Sequence, residues 1–389
     1  MIPTESFLDI HVESLRKHGE ELCGDTVRVV KTPSQTIGVL SDGLGSGVKA
    51  NILATLTSQI LVRMLQAEVP LRDVIDTVVG TLPICKVRRI AYATFTVVRI
   101  NHERNHFRII NFDNPPPFYF RRGTLVRMPI EKEVILERRI QFSEGELDRG
   151  DFLGIMSDGV LHAGMGVERG FGWGWEEIAR FLQQQLMLHG HGVRPVVQKM
   201  ISETSRRYRA APGDDATFLG ITARRREAAI IFTGPPLDSS RDEEYVQRVL
   251  AFQGRIIVCG GTTANIVAHC LGEPVDLDLK SARADVPPMG RLSQVDLVTE
   301  GILTMSRALE YLKASAGALY RLPADRDGAR MLAEEILRAD FVFFLVGQRI
   351  NEVYQNPLLP KSISIRRNLV EELAQLIRGM NKEVVIEYC

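Results

Sequence analysis

The sequence predicts an α+β chain in two parts: a first half of short antiparallel strands with helices, and a second half that alternates strand and helix around a mostly parallel sheet. Three observations carry this. Between residues 92 and 128 four β-branched and aromatic runs are joined by links too short to hold a crossover helix, which dictates antiparallel pairing. After Arg224-Arg225-Arg226-Glu227 the runs instead alternate with amphipathic segments long enough to cross over, the pattern of a parallel sheet with helices on both faces. Finally, two apolar runs end in the same tripeptide, Ser41-Asp42-Gly43 and Ser157-Asp158-Gly159, so both ends of the first half carry an acid at a strand terminus.

In chain order, residues 5–16 read as an edge strand. Cys23-Gly24-Asp25 precedes the β-branched run Thr26-Val27-Arg28-Val29-Val30, Pro33-Ser34-Gln35 turns the chain, and Thr36-Ile37-Gly38-Val39-Leu40 runs into Asp42. As a hairpin these two strands bring Asp25 and Asp42 to the same end of a sheet. Ser41-Asp42-Gly43-Leu44-Gly45-Ser46-Gly47 then opens a helix over 46–67 with apolar residues at Ile52, Leu56, Ile60 and Leu61; alone, this stretch reads as a strand-to-helix turn with Asp42 as a local cap. Beyond Pro70 the periodicity predicts a helix over 71–81. The runs 92–100, 107–112, 118–120 and 124–128 predict a meander, and 133–147 continues in the same character. A buried strand from Asp151 ends at Ser157-Asp158-Gly159, helices follow over 175–188 and 193–209 with Pro195 in the first turn of the second, and Gly213-Asp214-Asp215 starts the strand Ala216-Thr217-Phe218-Leu219-Gly220-Ile221.

In the second half the spacing predicts strands over 228–232, 255–259, 341–346 and 383–388, with helices over 241–252, 262–271, 294–314, 328–339 and 366–379. We place the boundary in the arginine run: 1–224 as one domain and 225–389 as a Rossmann-like α/β domain with a regulatory or ligand-binding role. Gly260-Gly261-Thr262-Thr263 falls where a strand gives way to a helix. It reads equally as a tight turn with a threonine cap or as an anion site made of free N–H groups and hydroxyls. It is neither a dinucleotide fingerprint nor a P-loop, because GxGxxG and Gly-Lys-Ser/Thr are both missing.

Composition narrows the classes. Lys plus Arg and Asp plus Glu both number 48 in 389 residues, so no overall field points to nucleic acid or an anionic membrane. The five cysteines form no CxxC pair and no His/Cys zinc spacing, as expected of reduced thiols. No basic-then-apolar leader opens the sequence and no apolar run reaches about 18 residues, so the expectation is a cytoplasmic protein with no membrane contact. The histidines His102, His106, His162, His189 and His191 have no flanking nucleophile motif.

What remains is a set of acids at strand ends: Asp25, Asp42, Asp158 and Asp214, separated by whole structural elements. Oxygen ligands of this kind select Mg²⁺ or Mn²⁺ over zinc, and a pair of such ions can clamp a phosphoryl group and activate water. The order Gly-Asp, Asp-Gly-Leu-Gly-Ser-Gly, Ser-Asp-Gly-Val, Gly-Asp-Asp-Ala-Thr resembles the metal-dependent serine/threonine phosphatases of the protein phosphatase 2C superfamily. Within it the pattern is most similar to the bacterial branch typified by stage II sporulation protein E, over residues 20–222.

The resemblance implies an α/β/β/α sandwich of two antiparallel sheets with two Mn²⁺ or Mg²⁺ ions in a cleft at one sheet end. It implies Asp42 as the bridging aspartate with the Gly43 carbonyl as a further ligand, Asp25 and Asp158 as ligands, Asp214 as the first acid of the closing pair and Asp215 as the residue that orients the others. Asp42 and Asp158 then serve catalysis through the bound ions. The implied function is hydrolysis of phosphoserine or phosphothreonine by metal-activated water in bacterial signalling, such as sporulation, sigma-factor or stress regulation. An anti-sigma-factor antagonist is one candidate substrate, and homodimerisation stays open. The chain departs from the family at Asn111-Phe112-Asp113-Asn114-Pro115-Pro116, where the family's Asn-Ala-Gly-His-Pro-Pro has a glycine and a histidine. No arginine matches the phosphate-binding arginine of eukaryotic relatives, and Arg88 and Arg89 are the bare candidates. The rival reading keeps the fold as a non-catalytic scaffold whose C-terminal domain senses a small anion or a protein partner.

Overall fold

The structure, a computed structural model, describes residues 6–81, 93–165, 172–190, 192–349, 362–380 and 382–389. The chain divides into two compact units, residues 1–225 and 226–389.

The first unit contains strands β1 (Ser6–Leu15), β2 (Asp25–Lys31), β3 (Gln35–Gly43), β4 (Ala93–Asn101), β5 (His106–Phe112), β6 (Phe118–Arg121), β7 (Thr124–Leu125), β8 (Glu131–Ile135), β9 (Arg138–Glu146), β10 (Phe152–Met156) and β11 (Ala216–Arg225). Its helices are α1 (Gly47–Gln66), α2 (Leu71–Thr81), α3 (Asp158–Leu161), α4 (Trp175–His189) and α5 (Val193–Arg207). The strands form two sheets, β2-β3-β4-β5-β9-β8 and β1-β11-β10-β6-β7, antiparallel throughout. Their inner faces share one core, in which Leu40, Val98 and Ile109 of the first sheet meet Leu153, Ile155 and Leu219 of the second. The outer face of the first sheet is covered by α1 and α2 and that of the second by α4 and α5, so each sheet is buried on both sides. This is the expected α/β/β/α layering.

Two local expectations change. The runs 107–112 and 118–120 do not continue one meander, because β6 and β7 belong to the sheet of β10, and β9 takes the place beside β5. Pro115, Pro116 and Pro117 interrupt the ladder between them, since proline has no N–H to donate. In α1, Ile52 and Leu56 are exposed, and the buried stripe runs through Leu53, Thr57, Leu61 and Leu65 flanked by Ala50, Ala54 and Ser58. The helix carries two apolar ridges, and the one lined with small residues lets its axis approach the sheet.

The second unit contains β12 (Ala228–Thr233), β13 (Arg255–Cys259), β14 (Asp276–Asp278), β15 (Met289–Arg291), β16 (Leu297–Thr299), β17 (Phe341–Val346) and β18 (Glu383–Tyr388), with α6 (Asp242–Leu250), α7 (Gly261–Leu271), α8 (Ile302–Ser315), α9 (Gly328–Arg338) and α10 (Ser362–Gly379). The sheet order is β14-β15-β16-β13-β12-β17-β18, parallel from β16 to β18 with an antiparallel β14–β15 extension. The chain thus winds outward from β12 in both directions. Residues Ala229, Ile231 and Ile257 pack on α8, α9 and α10, while Ile230, Phe232 and Val258 pack on α6 and α7. The helix expected over 294–314 begins only at Ile302. Leu297, Val298 and Thr299 are all buried as a strand, which a short apolar run cannot signal apart from a helix by periodicity alone.

Candidate active site

Each acid is positioned by a strand whose sequence leaves little choice of register. β2 pairs with β3, which is buried on both faces from Thr36 to Ser41, and the register puts Asp25 directly opposite Asp42. The second sheet contributes from the end of β10, where Ser157 stands at the N-cap position of the short α3 without capping it through its side chain and Asp158 is the first helical residue. The start of β11 brings Asp214 and Asp215 alongside, with Ser157 N–H donating to the Thr217 carbonyl at 3.0 Å and Thr217 N–H donating to Ser157 Oγ at 2.9 Å. Between the two sheets at this end, Ser157 Oγ donates to Asp25 Oδ2 at 2.7 Å.

The glycine of each Ser-Asp-Gly is fixed by a close approach. A Cβ on Gly43 would lie 2.0 Å from the Ala50 carbonyl oxygen of α1, and one on Gly159 would lie 2.0 Å from the Asp215 carbonyl oxygen. Any side chain at either place would push a neighbouring backbone away from the acids.

The electrostatics show how closely the acids are gathered. Burial, and after it the charges of Asp25, Asp158 and Asp214, hold the Asp42 carboxyl far above its ordinary range. Asp25 is raised chiefly by burial, with Ser157 and Thr217 favouring its charged form and Asp215 and Asp158 opposing it. Asp214 is raised by burial and then by Asp158. None of these four makes an ion pair among the described residues. Asp25 Oδ1 and Asp215 Oδ2 are buried with no hydrogen-bond partner.

Among the described residues no three His, Cys, Asp or Glu side chains are drawn into a ready-made metal cage. The donor set nevertheless fits a hard divalent cation: acceptor-only oxygens, mutually repelling, one of them buried without a donor. Asp215 serves differently, as its Oδ1 accepts the Lys17 N–H at 3.0 Å and its Oδ2 would lie 2.8 Å from a Cβ on Gly24. It ties the start of β11 to the segment that leads into Asp25.

Four contributors escape a search for acids at strand ends. Ser157 is the bridge just described. Glu20 accepts from Ser46 Oγ at 2.6 Å and meets the first turn of α1 at Gly47, where a carboxylate suits the helix N-terminus. Tyr208 donates from its hydroxyl to the Gly159 carbonyl at 2.8 Å, and Asn51 Nδ2 donates to the Cys23 carbonyl at 2.8 Å. Only Ser157 carried a signal, its recurrence in two Ser-Asp-Gly strand ends.

The segment 111–116 keeps a closed turn despite its altered sequence. Asp113 has φ +56°, a left-handed conformation that aspartate tolerates where most residues do not. Asn114 receives the Thr94 hydroxyl at 2.5 Å, and Asn111 Nδ2 donates to the Asn114 carbonyl at 2.8 Å. Asp and Asn here replace a glycine and a histidine without opening the loop. Arg88 and Arg89 lie outside the described residues. Gly260, Gly261, Thr262 and Thr263 belong to the second unit, at the start of α7.

The profile of the stage II sporulation protein E (SpoIIE) family matches residues 32–224. Residues 32–224 are thus similar to the SpoIIE family. The match takes in Asp42, Asp158, Asp214 and Asp215, and Asp25 lies ahead of it, joined through the β2–β3 register. No curated protein sequence matches the chain. Among solved structures, the chain is similar to the PP2C phosphatase domain with a fragment of the regulatory domain of SpoIIE from Bacillus subtilis, at 18% identity over 57% of this chain and 66% of that one, TM-score 0.48. It thus spans just under two thirds of that relative. It is also similar to the RsbU and RsbW domains of Rv1364c from Mycobacterium tuberculosis, at 17% identity over 64% and 70%, TM-score 0.46. A third is RsbX in complex with magnesium, at 19% identity over 56% and 95%, TM-score 0.41. No helix among the described residues is long and apolar enough to cross a membrane.

Proposed function

We propose that the first unit is a SpoIIE-type, metal-dependent phosphatase acting on phosphoserine or phosphothreonine of a protein in a bacterial signalling cascade. The observation that carries this is the meeting of Asp25, Asp42, Asp158 and Asp214 from two different sheets, each raising or raised by another's charge. Such a cluster is unfavourable unless protons or cations occupy it. Asp25, Asp42, Asp158 and Asp214, with the Gly43 carbonyl, would hold two Mn²⁺ or Mg²⁺ ions. When bound, the ions supply Lewis acidity, offsetting phosphoryl charge and making water acidic near neutral pH.

The rest is the work of the chain. Ser157 spends its proton on Asp25 Oδ2 and so leaves Oδ1 turned away from that bond and unpartnered. Asp215 fixes the closing pair to the Lys17 backbone, and Tyr208 fixes the turn that follows Asp158. These contacts set carboxylate orientation before substrate arrives, which is where preorganisation lowers a barrier.

The test is hydrolysis of a phosphothreonine peptide and of p-nitrophenyl phosphate with Mn²⁺, with Mg²⁺ and with EDTA. Turnover should require the metal and vanish in Asp42→Asn. Undiminished turnover in EDTA, or in that variant with metal in excess, would overturn the reading.

A further inference from the structure

The second unit builds a site of the opposite character. β13 ends at Cys259, and the chain turns at Gly260 with φ +124° and ψ 131°, a conformation that side chains with a Cβ avoid. Gly301 follows the neighbouring β16, and a Cβ on it would lie 3.4 Å from the Gly260 Cα. Loops from two adjacent parallel strands therefore press together with no side chain between them. Gly261 opens α7 with open space where its Cβ would stand, and Gly260 at the N-cap has no side chain to bond the first-turn amides. The neighbouring α8 is closed internally, since Glu300 Oε2 accepts from the Leu303 N–H at 3.1 Å.

Thr263 gives an independent sign of a ligand. It lies in the first turn of α7, is 1% exposed, and its Oγ1 has no hydrogen-bond partner. That oxygen is turned toward the Gly260 bend, 3.2 Å from where a Cβ would stand. A buried hydroxyl without a partner is costly, and few native structures keep one without use.

From Gly261 a groove of about 590 Å³ follows α7, within the roughly 300–1,000 Å³ of small-molecule sites. Its walls are apolar at Ala264, Pro287 and Pro288, and polar at Asn265, His269, Glu273 and Glu300, the Glu273 Oε1 accepting from the Ser293 N–H at 2.5 Å. The Glu300 charge is already committed to α8 and stands within electrostatic reach of Arg366. The helix terminus thus still favours an anion, while the carboxylate accepts from hydroxyl or amino groups on the same ligand.

We propose that this groove binds a phosphorylated metabolite of nucleotide size, its phosphate on the first-turn amides of α7 and Thr263 Oγ1, its body between α7 and the two prolines. Phosphate chemistry alone would satisfy the helix end, but only an organic body carrying donors uses the groove and Glu300. This site stands apart from the phosphatase reading and does not depend on it.

The experiment is calorimetric titration of the full chain carrying Asp42→Asn, in EDTA, so that metal-held phosphate in the first unit contributes nothing. The probes are adenosine 5′-monophosphate, guanosine 5′-monophosphate, ribose 5-phosphate, inorganic phosphate and adenosine. A nucleoside monophosphate should bind saturably and about tenfold or more tighter than inorganic phosphate or adenosine. Gly261→Asp places a carboxylate in the first turn, which suits a helix N-terminus; the melting temperature should hold while binding falls about tenfold or more. Thr263→Val should weaken binding and Thr263→Ser retain it. No saturable binding by any probe, equal affinity for nucleotide and inorganic phosphate, or unchanged binding in Gly261→Asp would each sink the proposal.

Discussion

Both units gather their chemistry at strand ends, with opposite sign. In the first, antiparallel strands deliver carboxylates, and Asp25 and Asp42 face each other across a ladder at the expense of mutual repulsion. In the second, parallel strands deliver Gly260 and Gly301, so what faces the ligand is backbone N–H and a threonine hydroxyl. The difference follows from topology. An antiparallel sheet brings side chains of sequence-distant strands to one end, while a parallel sheet places every strand's C-terminus beside a helix N-terminus. One arrangement suits cations and the other anions.

The sharpest way to break this contrast is at Asp42. Asp42→Asn should lower metal-dependent turnover by more than the roughly 10–100-fold expected of a residue that only orients a ligand. The same change should raise the melting temperature of the metal-free protein, because it removes the carboxylate that burial and three neighbouring charges disfavour. Activity and stability moving in opposite directions is the signature of a ligand; a joint fall would instead mean a structural aspartate.

Ser157→Ala comes next. It removes a bond between the two sheets at the site and takes a donor from Asp25 Oδ2. Metal affinity, read by calorimetry, should fall about 10–100-fold with Asp25 still present. An unchanged affinity would mean that the bridge holds the sheets and not the carboxylate.

How much of this was legible beforehand differs between the units for physical reasons. The acids were readable because Asp-Gly at the end of an apolar run is local, and the hairpin spacing alone puts Asp25 and Asp42 together. The Ser157 bridge and the Glu20 contact with α1 were not, since each joins residues that only the tertiary fold brings near. In α1 the sequence offers two apolar ridges, and nothing local says that the ridge of Leu53 and Leu61, with its small neighbours, packs inward. Leu297-Val298-Thr299 reads as part of a helix because three buried residues have no period. Asp113 shows the converse: a change that looked disruptive keeps the turn by adopting φ +56°.

A smaller effect concerns the glycines. Gly159→Ala should destabilise the protein by about 1–3 kcal/mol, because its Cβ meets a carbonyl oxygen of the rigid β11 start. Gly261→Ala, in open space, should stabilise by up to about 1 kcal/mol. Denaturant titration of the two variants distinguishes close approach from mere flexibility, and equal responses would erase that distinction.

The last and smallest effect is in the pH dependence of the metal-free protein. Carboxyls whose folded pKa is raised bind more protons in the folded than in the unfolded state. Their stabilising contribution is therefore complete below the unfolded carboxylate pKa of about 4 and is lost as pH rises toward the folded value. Asp25, Asp42 and Asp214 are all of this kind. Glu387, held low by Arg248, acts in the other sense, with stability present above that same pKa and lost only in acid. Between pH 5 and 8 the raised group governs, so the melting temperature in EDTA should decline with pH, Mn²⁺ should offset the decline by replacing the protons, and Asp42→Asn should flatten it. The amides and hydroxyl at the start of α7 do not titrate in this range, so a decline that survives Asp42→Asn unchanged would assign the slope to some other group and remove the cation-site half of the contrast.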